Sequence, residues 1–116
     1  MLMASTLWSM GTPLKSAFTI LSNQTVTASG VSGNYFTGVY RNFLVFIYVS
    51  SASGTVTIGF NAYDPTTRQS VTLASNTITT TGAYYIAVNN YAGQWFNLSW
   101  SVNGTFTLTI TVYESW

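Results

Sequence analysis

The 116-residue chain has no cysteine and no histidine, and it carries only three basic and two acidic residues. Each shortage removes a class of chemistry. Without cysteine there is no disulfide framework and no thiolate nucleophile. Without histidine, the abundant Ser and Thr hydroxyls have no general base to activate them, and the single lysine, Lys15, lies outside the strand-like part of the chain. Zinc and calcium sites made of side chains need more His, Cys or carboxylate ligands than this sequence holds. Asp64 and Glu114 would suffice as a carboxylate pair for glycoside cleavage. However, Asp64 precedes Pro65, where it is an ordinary turn former, and Glu114 sits near the C-terminal end. The nine glycines fall in turns and form no phosphate-binding loop. The expectation is a non-enzymatic protein with no metal and no cofactor.

The scarcity of charge also bears on partners. Charged residues make up 4% of the chain, against about 25% in ordinary soluble domains. Neutralising a phosphate backbone takes clustered cations, which Lys15, Arg41 and Arg68 do not supply, so nucleic acid is excluded as a partner. The exterior must instead be built from Ser, Thr, Asn, Gln, Gly and Tyr. Such a surface loses little solvation when another protein covers it, because hydroxyls and amides cost far less to bury than ions. It also keeps nearly the same charge at any pH, which suits an acidic or hot exterior. A free monomer with so little charge has poor colloidal stability. Long apolar runs are missing too. The longest, residues 43–49, falls far short of the roughly 18 residues of a membrane span. Lys15 follows the apolar start of the chain and does not precede it, so no secretion signal is expected.

What is present is alternation. In residues 105–112, Phe106, Leu108, Ile110 and Val112 alternate with four threonines, the mark of a strand with one buried and one wet face. The same pattern puts Val56, Ile58, Phe60 and Ala62 inside over residues 55–62, and Phe96, Leu98, Trp100 and Val102 inside over 95–102. The run FLVFIYV, residues 43–49, is apolar on both faces, so its outer side is expected to meet another element or another subunit. Weaker strands are expected at 17–21, 24–28, 70–74 and 83–88. Turn signals stand between them at Ser53-Gly54, Asp64-Pro65-Thr66-Thr67, Thr81-Gly82 and, strongest of all, Asn103-Gly104. Short strands at such spacing predict an all-β fold, a single antiparallel β-sandwich of about eight strands with jelly-roll or immunoglobulin-like topology. The sandwich is expected over residues 17–116, with residues 1–16 as an N-terminal arm. That arm contains Leu2, Met3, Leu7, Trp8, Met10 and Leu14, interrupted by Gly11-Thr12-Pro13, and its apolar side chains need cover.

Three sets of residues are candidates for contact. Leu7 and Trp8 of the arm, with Leu44, Phe46 and Tyr48 on the outer side of the FLVFIYV strand, are candidate subunit contacts. Tyr91, Gln94 and Trp95 combine aromatic faces with an amide, a pattern able to stack on and hydrogen-bond a host glycan, although large aromatics also cap sandwich cores. Asn23, Asn97 and Asn103 each begin an N-x-[ST] sequon and are candidate glycosylation positions, in a chain where Ser and Thr are common enough for such matches to arise by chance.

From residue 38 to 116 the order of features is an apolar strand (FLVFIYV), SASGTVTIGFNAYDPTTRQSVTLAS, TITTTGAYYIAV, an aromatic strand (QWFNLSW) and a Gly-hinged final strand (NGTFTLTITVYESW). This order resembles the small β-sandwich virion proteins, of capsid, decoration or head-tail accessory type, encoded among the head and tail genes of tailed bacteriophages. The low charge and high Tyr and Thr content are more similar to proteins of thermophile and archaeal viruses. The resemblance implies a structural subunit of a virus particle, located in the virion after assembly in the host cytoplasm, with copies of itself and other virion proteins as partners. It implies no catalytic residue. The readings weighed beside it are a carbohydrate-binding or receptor-binding module and an extracellular pilus or thread subunit joined by strand exchange.

Overall fold

The computed structural model describes residues 15–116, and over them the chain is all-β, with no helix. Seven strands follow in order: β1 (Lys15–Val26), β2 (Gly30–Val31), β3 (Tyr35–Phe36), β4 (Asn42–Asp64), β5 (Gln69–Ile78), β6 (Gly82–Val88) and β7 (Trp95–Ser115). All belong to one antiparallel sheet in the order β1-β7-β4-β5, with β2 and β3 also on β7 and β6 also on β4. The expected boundary between arm and sandwich moves slightly, because Lys15 and Ser16 already pair with Ser115 and Glu114 in the sheet.

The organising feature is the ladder between β4 and β7, which runs from Asn42 opposite Ser115 to Ala62 opposite Phe96. Two corrections to the sequence expectation follow from it. Ser53-Gly54 and Asn103-Gly104 are not turns between strands, and each lies inside one long strand. The pairs of strands expected at 43–49 and 55–62, and at 95–102 and 105–112, are therefore β4 and β7 passing through a bend. The strands expected at 17–21 and 24–28 likewise merge into β1, interrupted by register shifts around Leu21. Expected turns at Asp64-Pro65-Thr66-Thr67 and Thr81-Gly82 do separate strands.

Gly54 and Gly104 face each other across the ladder. Their φ angles are 100° and 128°, a region open to glycine and strained for other residues. A Cβ on Gly104 would run into the carbonyl oxygen of Ser53, and one on Gly54 into that of Asn103. At this point the sheet doubles over on itself. One layer contains β1, β6, the first part of β4 and the last part of β7, and the other contains β2, β3, β5 and the remaining parts of β4 and β7. Phe43 and Phe60, seventeen positions apart on β4, are brought to a ring distance of 5.6 Å by the doubling. Phe96 meets both, at 5.0 Å from Phe43 and stacked at 4.9 Å on Phe60.

A second irregularity makes the doubling compatible with burial. The ladder skips Ser50 between Val49 and Ser51, which is a β-bulge. Before it, the odd residues Phe43, Val45, Ile47 and Val49 point into the core; after it, the even residues Val56, Ile58 and Phe60 do. β7 keeps one parity, with Phe96, Leu98, Phe106, Leu108, Ile110 and Val112 all buried. A one-residue slip inverts the facing of every following side chain, so the extra residue reconciles the two strands. Of the expected core, Trp100, Val102 and Ala62 are only half-buried and pack at its margin.

Replacing Gly104 by Ala is expected to lower the unfolding free energy by roughly 2 kcal/mol or more, because a strained φ and a backbone clash act together. Gly33 has open space around its Cβ position. Gly33→Ala should stay within about 0.5 kcal/mol of the wild type in the same denaturant titration. Equal losses in the two variants would mean that the corner is not where the fold is constrained.

Candidate interaction surface

The doubled sheet has two outer faces, and they differ in kind. On the layer formed by β5 and the second part of β4, the outward side chains are amides and hydroxyls bonded to one another. Asn61 Nδ2 donates to Asn97 Oδ1 at 2.9 Å and to Ser99 Oγ at 3.1 Å, while Thr72 Oγ1 donates to Asn61 Oδ1 at 2.7 Å. Asn97 Nδ2 donates to Asn34 Oδ1 at 3.0 Å and to Ser70 Oγ at 3.2 Å. Asn61 and Asn97 are both buried beneath their neighbours. The polar groups at the centre of this face are internally satisfied, while Val31 and Phe36 on the same layer are exposed.

The other outer face is apolar. β4 is flanked there by β6 and β7, and the register places Leu44 between Ala87 and Tyr113, Phe46 between Tyr85 and Thr111, and Tyr48 between Ala83 and Thr109. Leu44, Phe46, Tyr48, Tyr85 and Tyr113 are between 39% and 64% exposed. With side chains of roughly 200 Å², that amounts to about 500 Å² of contiguous surface, near the upper end for the largest apolar patch on a monomeric protein. A cleft of about 280 Å³ runs into it between Leu44, Phe46, Ala83, Tyr84 and Tyr85. None of the five aromatic and aliphatic side chains is charged, and Lys15 stands at the rim, two residues before Ala17, which is opposite Tyr113.

The candidate contacts Leu44, Phe46 and Tyr48 are thus together on one surface, while Leu7 and Trp8 lie outside the described residues. Sequence reasoning missed Tyr85 and Tyr113. Tyr113 was legible as the next outward position after Thr105, Thr107, Thr109 and Thr111; Tyr85 became visible only through its pairing with Phe46.

The candidate glycan set does not form a platform. Tyr91 is buried in the core, edge-on to Phe43 and Phe60 at 6.0 and 5.6 Å, and its hydroxyl donates to the carbonyl of Trp95 at 2.6 Å. Its ring is unavailable for stacking on a sugar. Trp95 is half-buried against Phe36 at 5.3 Å. Gln94 is exposed, its carbonyl accepting the Thr37 N–H at 2.9 Å. Among the sequons, Asn97 is closed off because its amide nitrogen is committed twice inside the polar network. Asn23, at φ 48° in the irregular part of β1, and Asn103, at the corner, are exposed.

The two carboxylates occupy opposite environments. Asp64 is exposed and held by its own turn, accepting from Thr67 Oγ1 at 2.8 Å and the Thr66 N–H at 3.1 Å, and these bonds lower its pKa. It is therefore engaged by the two threonines of its turn. Glu114 points to the inner side of β7 opposite Phe43, and burial pushes its carboxyl pKa up.

No known protein family matches the sequence, and no curated protein matches it. Among solved structures, the fold is similar to that of the SPBc2 prophage-derived protein YomS, with a TM-score of 0.69 and 18% identity over 92% of this chain and 97% of that one. It is also similar to PirA, with a TM-score of 0.55 and 15% identity over 90% of this chain and 96% of that one. At such identities the likeness is one of fold.

Because Glu114 has a raised folded-state pKa, its contribution to stability is full below the unfolded carboxyl pKa and is lost as pH rises through the folded value. Asp64 has the opposite sign, but it is fully exposed and its effect is slight. Melting curves from about pH 4 to about pH 8 should show the wild type losing stability relative to Glu114→Gln as pH rises. Parallel curves for the two proteins would show that Glu114 does not set the pH response.

Proposed function

We propose that this chain is a non-enzymatic structural subunit of a virus particle, a capsid, decoration, turret or head-tail accessory protein that works by packing against copies of itself or other virion proteins. The observation that carries the reading is the apolar outer face of Leu44, Phe46, Tyr48, Tyr85 and Tyr113 on a domain whose exterior otherwise holds few charges. Aromatic residues without charge are the composition of an interface centre, and the tyrosine hydroxyls tolerate the wet state before assembly. The surrounding hydroxyl and amide surface is cheap to cover. A prophage origin is stated for YomS in its name, and the shared fold adds support from that side. A carbohydrate-binding role is less well supported, since Tyr91 faces the core.

Sedimentation velocity tests the reading. The wild type is expected to self-associate, and the double substitution Phe46→Ser with Tyr85→Ser is expected to sediment as a monomer with an unchanged β-type circular dichroism spectrum. A wild type that stays monomeric across the whole accessible concentration range would overturn packing against copies of itself.

A further inference from the structure

We propose that the apolar outer face receives residues 1–14 of a neighbouring copy, so that subunits are tied together by exchanged N-terminal arms. This rests on the structural-subunit reading and names the occupant of its interface. The first argument is area. The five exposed side chains offer about 500 Å², whereas a stable interface buries about 800 Å² on each partner. Two such faces laid together fall short, and an added segment rich in apolar side chains makes up the difference.

The second argument is composition. Residues 1–14 contain Leu2, Met3, Leu7, Trp8, Met10 and Leu14 and no charged residue, which matches a face that has none at its centre. No ion would be stripped of water when the two meet.

The third argument is where the segment joins the domain. β1 is an edge strand paired only with β7, and the arm enters it at Lys15, opposite Ser115. Two residues further on, Ala17 is opposite Tyr113, which in turn is opposite Leu44. The root of the arm is therefore beside the patch. Fourteen extended residues reach about 46 Å, and the stretch of β4 from Leu44 to Tyr48 is only about 13 Å long. Two copies related by a two-fold axis near the rim can thus each lay an arm on the other's face, a reciprocal contact that closes.

The test uses three variants: an arm deletion lacking residues 2–12, a full-length arm variant (Leu7→Ser with Trp8→Ser), and the face variant (Phe46→Ser with Tyr85→Ser). Each alone is expected to lose self-association while keeping the β-type spectrum. When mixed, an affinity-tagged arm-deleted protein, whose face is intact, should capture the untagged face variant, whose arm is intact; it should not capture a protein lacking both. If the wild type associates and both arm variants associate equally well, the arm proposal falls and the structural reading stands. Failure of capture in the mixture, with the wild type still associating, also sinks it. A wild type that remains monomeric sinks the arm proposal and self-packing together.

Discussion

The structure depends on one ladder, β4 against β7, which supplies the centre of both layers. A sandwich built from two separate sheets can adjust one against the other. Here the layers share a backbone, and the only freedom is where the common ladder bends. Gly54 and Gly104 permit the bend because their φ angles are open to glycine and because no Cβ stands between the crossing strands. The bulge at Ser50 then sets which residues face inward beyond the corner. Remove either device and the side chains of one layer lose their register with those of the other.

This coupling explains why the fold was legible in outline and not in topology. Alternation identified most of the buried residues of both strands: Val56, Ile58, Phe60, Phe96, Leu98, Phe106, Leu108 and Ile110 are in the core, while Ala62, Trp100 and Val102, expected there too, lie at its margin. The dipeptides Ser53-Gly54 and Asn103-Gly104 carry the same local signal as hairpin turns. What makes them a corner is that they stand opposite each other, about fifty positions apart in the chain, and no local pattern encodes that. The change of parity between Val49 and Val56 was not legible, because residues 43–49 are apolar at odd and even positions alike.

The candidate sites show the same division. Leu44, Phe46 and Tyr48 could be found because a strand apolar on both faces must cover both. Tyr91 could be read either as a glycan contact, from its neighbours Asn89, Asn90, Gly93 and Gln94, or as a cap of the core; the ring folds inward to close the end of the core over Phe43 and Phe60. Asn97 was correctly assigned to the outer side of its strand. It is buried nonetheless, because Asn34, Ser70 and Asn61 reach it from three other segments. Facing is a local property, while burial depends on what the rest of the chain brings alongside.

The contrast between the two outer faces bears most directly on assembly. Amides and hydroxyls that satisfy one another, as around Asn61 and Asn97, leave a surface with little unsatisfied bonding to offer a partner. The opposite face has no such closure, and what it exposes is mainly apolar and aromatic area. Lys15, Arg41, Asp64 and Arg68 are exposed, but none belongs to the cluster around Phe46. Acidification relieves the desolvation of Glu114 inside the sandwich. The fold therefore gains from acid, while the cluster around Phe46 holds no carboxylate for acid to discharge.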